Sequence, residues 1–429
     1  EIAVVASNSY WAVNSAPKSA VFAADLAIEY GPVPGIVEPN DLRAARPARE
    51  LVEAALQNPV GGKDFQGFIN GAKDLLIIVN DQTRPTPTRM VLQSLAPLLE
   101  KTDTEVSFMI ATGVHRGPTE EEYRHIFGDQ PFAAYRDRIY AHDARRDEMV
   151  YLGDSRAGTE MYVNKMGVEA DRVLVIGSVE PHYFAGYTGG RKGFLPGIAS
   201  YKTIEQNHKH ALHPGAKALA LEGNPVHEDM VDALNVVKKE VFAVMTVLDK
   251  DHSIYAVTAG DINESFYAAI ESADEIFVAD IPEKADVVVT VAKYPMDIDL
   301  YQAQKAIDNA KLALAEGGIM ILVASCRDGI GEEAFVKLLS SADTPEGVLE
   351  EIKKGYKLGY HKAGKMAEIF QWAEVHAVTE LPDDLLTSLF IVPEHTLQTA
   401  IETALEKKGS AARVLFLLDG SVTVPRPTK

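Results

Sequence analysis

Leu75-Leu76-Ile77-Ile78-Val79 is an unbroken apolar run that stops at Asn80-Asp81. It is too short for most helices and rich in β-branched residues, which fits a strand. Val106–Ala111 repeats the pattern and ends in Thr112-Gly113-Val114-His115-Arg116. Val173–Ile176 repeats it again and leads into Val179-Glu180-Pro181-His182. Continuous rather than alternating apolar strands point to a parallel sheet covered on both faces. Helical stretches lie between them. Arg89–Lys101 reads as a helix that Pro97 should kink or break early, and Thr119-Glu120-Glu121-Glu122 fits a capping box. The alternation predicts an α/β fold with mostly parallel sheets.

A second α/β block follows. Ile276–Ala279, Val287–Val291 and Ile319–Ala324 read as strands, Tyr301–Ala315 as a helix stopped by Gly317-Gly318, and Arg413–Leu418 as a late strand. The boundary is expected between Asp261 and Glu283. This gives an N-terminal α/β domain, residues 1–272, and a C-terminal one, residues 273–429, with the last strand able to pack on either. A chain of 429 residues is long enough for both cores without a disulfide or metal staple.

With 42 Lys and Arg against 62 Asp and Glu, the formal net charge is −20, which argues against nucleic acid as a partner. An anionic substrate must then be captured by local Arg and Lys. The single cysteine, Cys326, excludes an internal disulfide and fits a reducing cytoplasm; a buried thiol is favoured over a catalytic one. No apolar run approaches the roughly 20 residues needed to cross a bilayer, and the first residues do not read as a signal peptide. The expected location is the cytoplasm, with no membrane contact.

In open α/β sheets ligands bind beyond the carboxyl ends of the strands. One sheet would bring Asp81-Gln82-Thr83-Arg84, Thr112–Arg116 and Glu180-Pro181-His182 to the same edge. The third cluster runs into Tyr183-Phe184-Ala185-Gly186-Tyr187-Thr188-Gly189-Gly190-Arg191-Lys192-Gly193-Phe194-Leu195-Pro196-Gly197. Its glycines allow the backbone to wrap a ligand, and successive bare amides would form an anion nest, with Arg191 and Lys192 adding positive charge. A P-loop is excluded because Gly193, not Ser or Thr, follows Lys192. The same residues also fit a tight surface loop. Asn207-His208-Lys209-His210 and His213-Pro214 are imidazole-rich, but their spacing supports one ligand better than a three-histidine cage; a solvated helix is the alternative. Tyr301, Gln302 and Lys305 cluster near one side of a helix start, which suits a carboxylate or hydroxyl, though a surface lysine beside a half-buried tyrosine has the same spacing. Trp372 fits either a pocket wall or the core.

Taken together, NDQTRPTP at Asn80–Pro87, TGVHR at Thr112–Arg116, EPHYFAGYTGGRKGFLPGI at Glu180–Ile198, NHKH at Asn207–His210 and YQAQKA at Tyr301–Ala306 resemble the lactate racemase family. The motifs recur in the family's order across more than half the chain, and the long glycine-rich one is highly specific. The resemblance implies two α/β domains with the site in the cleft. It also implies a nickel-pincer nucleotide, a sulfur-modified pyridinium mononucleotide joined through a thioamide to Lys192, with Asp81, Arg84, Gly189 and Gly190 around it. His208 would be the metal ligand. His115 and His182 would be the catalytic pair, and Arg84, Tyr301, Gln302 and Lys305 the substrate-side groups. The expected reaction is inversion of the α-carbon of a small 2-hydroxy acid, such as lactate, by transient hydride transfer. Separate maturation enzymes would assemble the cofactor. The competing expectations are a zinc-dependent hydrolase or lyase built on His115, His182 and His208, and a non-catalytic nucleotide-binding protein.

Overall fold

The computed structural model describes residues 35–428, which divide into two compact units, each α/β. One is Asp41–Ile276; the other joins residues 35–40 to residues 277–428.

In the first unit, six strands run in the order Ile254–Asp261, Val241–Leu248, Arg172–Ser178, Asp74–Asn80, Glu105–Ala111 and Ile139–Ala141. All neighbours are parallel except the outermost Ile254–Asp261. Asp74–Asn80 sits inside the sheet, in register with Glu105–Ala111 on one side and Arg172–Ser178 on the other. Its residues 75–79 are buried on both faces, which is why the run carries no polar alternation. Phe65, Phe68 and Phe242 pack at ring separations of 5.4–6.5 Å over one face. The capping box is formed in full: Thr119 accepts from the Glu122 amide while Glu122 accepts from the Thr119 amide.

The second unit holds six strands, all parallel, in the order Gly35–Val37, Val414–Leu417, Ala285–Val291, Leu314–Val323, Glu374–Val378 and Ile391–Glu394. A separate parallel pair joins Val278–Ile281 to Val424–Pro427. The late strand therefore pairs with Ala285–Val291, and with Gly35–Val37, a pairing that a 1–272 domain does not contain.

The helix Thr88–Leu99 runs through exposed Pro97 and ends two residues after it, short of Lys101, the early end expected of that proline. Two local expectations are corrected. Ile276 ends a helix, Ile262–Phe277, rather than starting a strand: Phe266, Ala269, Ala273 and Ile276 are buried at helical spacing. The helix expected to reach Ala315 stops at Ala310, and Gly317-Gly318 fall inside the strand Leu314–Val323. Among the described residues, no helix is long and apolar enough to cross a membrane.

Candidate active site

Because the central strands are parallel, their carboxyl ends share one edge, and the three polar clusters meet there. Asp81, Arg84, Thr112, His115, Ser178, His182, Gly189, Lys192 and His208 line one pocket at that edge. Asn80, Thr188, Pro196 and Gly197 also line it. Nothing in the residue types of Asn80, Thr188, Pro196 and Gly197 marks them in the sequence as site residues.

His115 is anchored. Its Nδ1 lies 2.7 Å from Asp81 Oδ2, while Asp81 Oδ1 accepts from the Thr83 hydroxyl at 2.6 Å. Asp81 is only 4% exposed. Burial opposes its ionisation, but the hydrogen bonds from His115 and Thr83 and the charge of Arg84 outweigh that, holding the carboxyl below its usual range. A carboxylate only accepts, so Nδ1 of His115 carries the proton and Nε2 of the neutral ring carries the lone pair. The anchor is present at neutral pH and is lost only as acid protonates Asp81, below the ordinary carboxylate range. Arg116, beside His115 in sequence, turns away into a two-bond pair with Glu122, each bond 2.7 Å.

His182 is held against its own loop. Its Nδ1 accepts from the amides of Ala185 and Phe184 at 3.3 and 3.5 Å, and its ring stacks on Tyr183 and meets the edge of Phe184. His208 faces Phe184 edge-on at 5.2 Å. Burial, then the Lys192 ammonium, push the His208 imidazolium down to about 3, so the ring is neutral at pH 7. Among the described residues, no three His, Cys, Asp or Glu side chains are arranged to hold a metal ion.

Lys192 sits on a short 3-10 turn, Gly190–Gly193, with its Nζ 5.8 Å from the Phe184 ring centre. Several amides of this stretch are spent inside the protein. Gly190 N donates to Met245 Sδ, Lys192 N to Gly189 O, and Phe194 N and Leu195 N to Arg191 O. Arg191 offers no charge to a ligand: its buried guanidinium donates to the carbonyls of Ala185, Thr188 and Gly189 and lies over the Phe266 ring at 4.4 Å. Burial pushes this guanidinium down to about 9, still cationic at pH 7. The glycines serve close packing. Gly197 passes so near Gly193 that a Cβ would lie 2.2 Å from its carbonyl oxygen. The loop also bonds directly to the histidine loop, Gly113 N to Gly197 O at 3.0 Å.

Gly189 gives a testable consequence. It has φ +82°, and a Cβ there would meet Val179 Cγ2 at 2.7 Å and Ser178 O at 3.0 Å. Gly189→Ala is expected to destabilise the protein by roughly 2–4 kcal/mol, adding overlap to backbone strain. Gly158→Ala, at the same φ but with nothing within 4 Å, should show only the smaller strain cost. Thermal melting of the two variants checks the difference.

In the other unit, Tyr301, Gln302 and Lys305 lie at the start of the helix Leu300–Ala310, which Asp299 caps by accepting from the Gln302 amide at 2.7 Å. Lys305 Nζ lies 3.3 Å from Met296 Sδ. Tyr301 is gripped by Lys362, whose ammonium lies 3.3 Å from the ring centre and donates to the Tyr301 carbonyl at 2.8 Å. Burial pushes the Tyr301 phenol up to about 12. Cys326 is 2% exposed and its thiol is pushed up to about 12 by burial, so it is no nucleophile at neutral pH. Trp372 is half-buried, its carbonyl accepting from the Gly317 amide.

Residues 23–219 match the family model described as the lactate racemase N-terminal domain, and residues 281–424 match the lactate racemase C-terminal domain. The chain is 34% identical over 387 residues to the lactate racemase of Lactiplantibacillus plantarum, covering 87% of this chain and 89% of that one. It is 32% identical over 388 residues to the lactate racemase of Thermoanaerobacterium thermosaccharolyticum, covering 88% and 90%. The solved structure of the lactate racemase apoprotein from the latter organism superposes with a TM-score of 0.86 at 31% identity, covering 92% of this chain and 95% of that one. A Thermotoga maritima protein superposes with a TM-score of 0.66 at 17% identity, over 90% of this chain and 100% of that one, a likeness of fold alone.

Proposed function

Because the chain belongs to the lactate racemase family of isomerases, we propose that it interconverts the two hands of lactate or a closely related 2-hydroxy acid. The observation that carries this reading is the Asp81-anchored His115 in one pocket with His182, Lys192 and His208.

The residues present fit the nickel-pincer nucleotide. Lys192 supplies the amine for attachment, and the neutral imidazole of His208 supplies a nitrogen donor of the kind nickel accepts. When bound, that group would supply an acceptor for the α-hydrogen together with its electron pair. The rest falls to the chain. His115 takes the hydroxyl proton at Nε2, its developing positive charge stabilised by Asp81 through Nδ1. His182 serves the opposite hand, whose hydroxyl is presented differently. Arg84 supplies a cation for the substrate carboxylate. We assign Tyr301, Gln302 and Lys305 to the substrate as well; the Lys305 ammonium suits an anion.

The test is conversion of single enantiomers by protein matured with nickel and the cofactor's maturation enzymes. For an acid with one stereocentre, either hand should run to equal amounts of both. No conversion of lactate, malate or longer 2-hydroxy acids, in a preparation carrying nickel and a Lys192 adduct, would contradict the reading.

A further inference from the structure

Asn207 immediately precedes His208 on the helix Tyr201–Lys209 and is 0% exposed. Its amide nitrogen faces two acceptors, the Val226 carbonyl at 3.2 Å and Asp229 Oδ2 at 2.9 Å. Asp229, on the helix Pro225–Val237, is itself buried and acts throughout as an acceptor. The Ser155 hydroxyl donates to its Oδ1, and the Thr159 hydroxyl donates to its Oδ2 at 2.8 Å. Ser155 Oγ already accepts from the Thr159 amide, so its own proton is committed to Asp229. The Asn207 amide can therefore be oriented only one way, nitrogen towards Asp229 and oxygen towards His208.

That oxygen lies 3.2 Å from His208 Nδ1. An amide oxygen accepts and cannot donate, so Nδ1 must carry the ring proton, and in the neutral ring Nε2 carries the lone pair. We infer that Asn207, clamped by Asp229, is a positioning residue that fixes the Nδ1–H tautomer of His208 and so offers Nε2 as the electron-pair donor to the pocket. Metal-bound histidines characteristically donate their second nitrogen to such a partner, and loss of the partner typically costs 10–100-fold in metal affinity or activity. The tautomer rests on the hydrogen bonds alone; its consequence for nickel rests on the function proposed above.

The tautomer is read without cofactor. Two-bond proton–nitrogen correlation spectra of protein labelled with nitrogen-15 histidine distinguish the two forms, with His208 assigned by the signal lost in His208→Gln. The native protein should show the Nδ1–H pattern, and Asn207→Leu should move it towards Nε2–H. The double variant Asn207→Asp with Asp229→Asn keeps an acceptor at His208 and a hydrogen bond between the exchanged pair, so it should retain the native pattern. It also covers the case in which the leucine variant fails to fold. An Nε2–H pattern in the native protein would overturn the inference. So would an unchanged pattern in Asn207→Leu, because the Ile204 carbonyl, which also accepts from the ring, would then suffice. In matured protein, nickel release to a chelator should quicken roughly 10-fold or more in Asn207→Leu; unchanged release would overturn the metal role. Matured native protein without nickel would overturn the cofactor reading and this metal role, while the apoprotein spectra still decide the tautomer.

Discussion

Replacing His115 with alanine is expected to lower kcat by roughly 10²–10⁴-fold, the usual contribution of a positioned acid–base group. The Lys192 adduct and nickel content should be unchanged. His115 owes its state to Asp81, a buried carboxylate 2.7 Å from Nδ1, which leaves Nε2 as the basic nitrogen. Removing the ring also deprives that carboxylate of a partner, at a stability cost of about 1–3 kcal/mol. Asp81→Asn separates the two effects. Thr83, which donates to Oδ1 from its amide and its hydroxyl, would hold the new amide oxygen and turn the NH2 towards His115 Nδ1. That reverses the tautomer while keeping the imidazole, and should reduce kcat at nearly unchanged KM. His182→Ala should lose activity on the same scale. Stopped conversion with intact adduct and nickel, by mass and metal analysis, supports two bases; substantial activity in either alanine variant contradicts them.

Lys192→Arg is expected to reduce racemisation to background and to abolish the adduct. The substitution keeps a cation on the Gly190–Gly193 turn, so a purely electrostatic role would survive it. A guanidinium is always charged and a poor nucleophile, whereas an amine loses its proton readily enough to be acylated. Arg191 cannot substitute, because its guanidinium is buried and committed to the carbonyls of Ala185, Thr188 and Gly189. Intact mass decides the outcome: a native-sized adduct on the arginine variant, or full activity without one, would remove Lys192 from its role.

The parallel sheet was legible because Leu75–Val79 is buried on both faces, a condition that leaves no polar residue in the run. From parallel strands the shared edge follows, and with it the meeting of Asp81, His115, His182 and Lys192. What could not be read was the partner of each group. Arg116 looked like part of the site but pairs with Glu122, a capping residue whose carboxylate is set by the next helix. Arg191 looked like an anion binder but braces its own loop, because the carbonyls it meets are arranged only by the fold. Gly317-Gly318 mimicked a helix stop, yet they fall inside the strand Leu314–Val323, at the irregularity between its Leu314 and Ile319 pairings. The Asn207–Asp229 clamp joins residues on two helices that the chain separates by 22 positions, and no local pattern announces it.

The most direct test of the central claim is the fate of deuterium at the α-carbon of L-lactate during conversion by matured protein in ordinary water. The account predicts D-lactate that retains the label, formed more slowly than from unlabelled substrate. Product that has exchanged its label with water at the rate of inversion would contradict it.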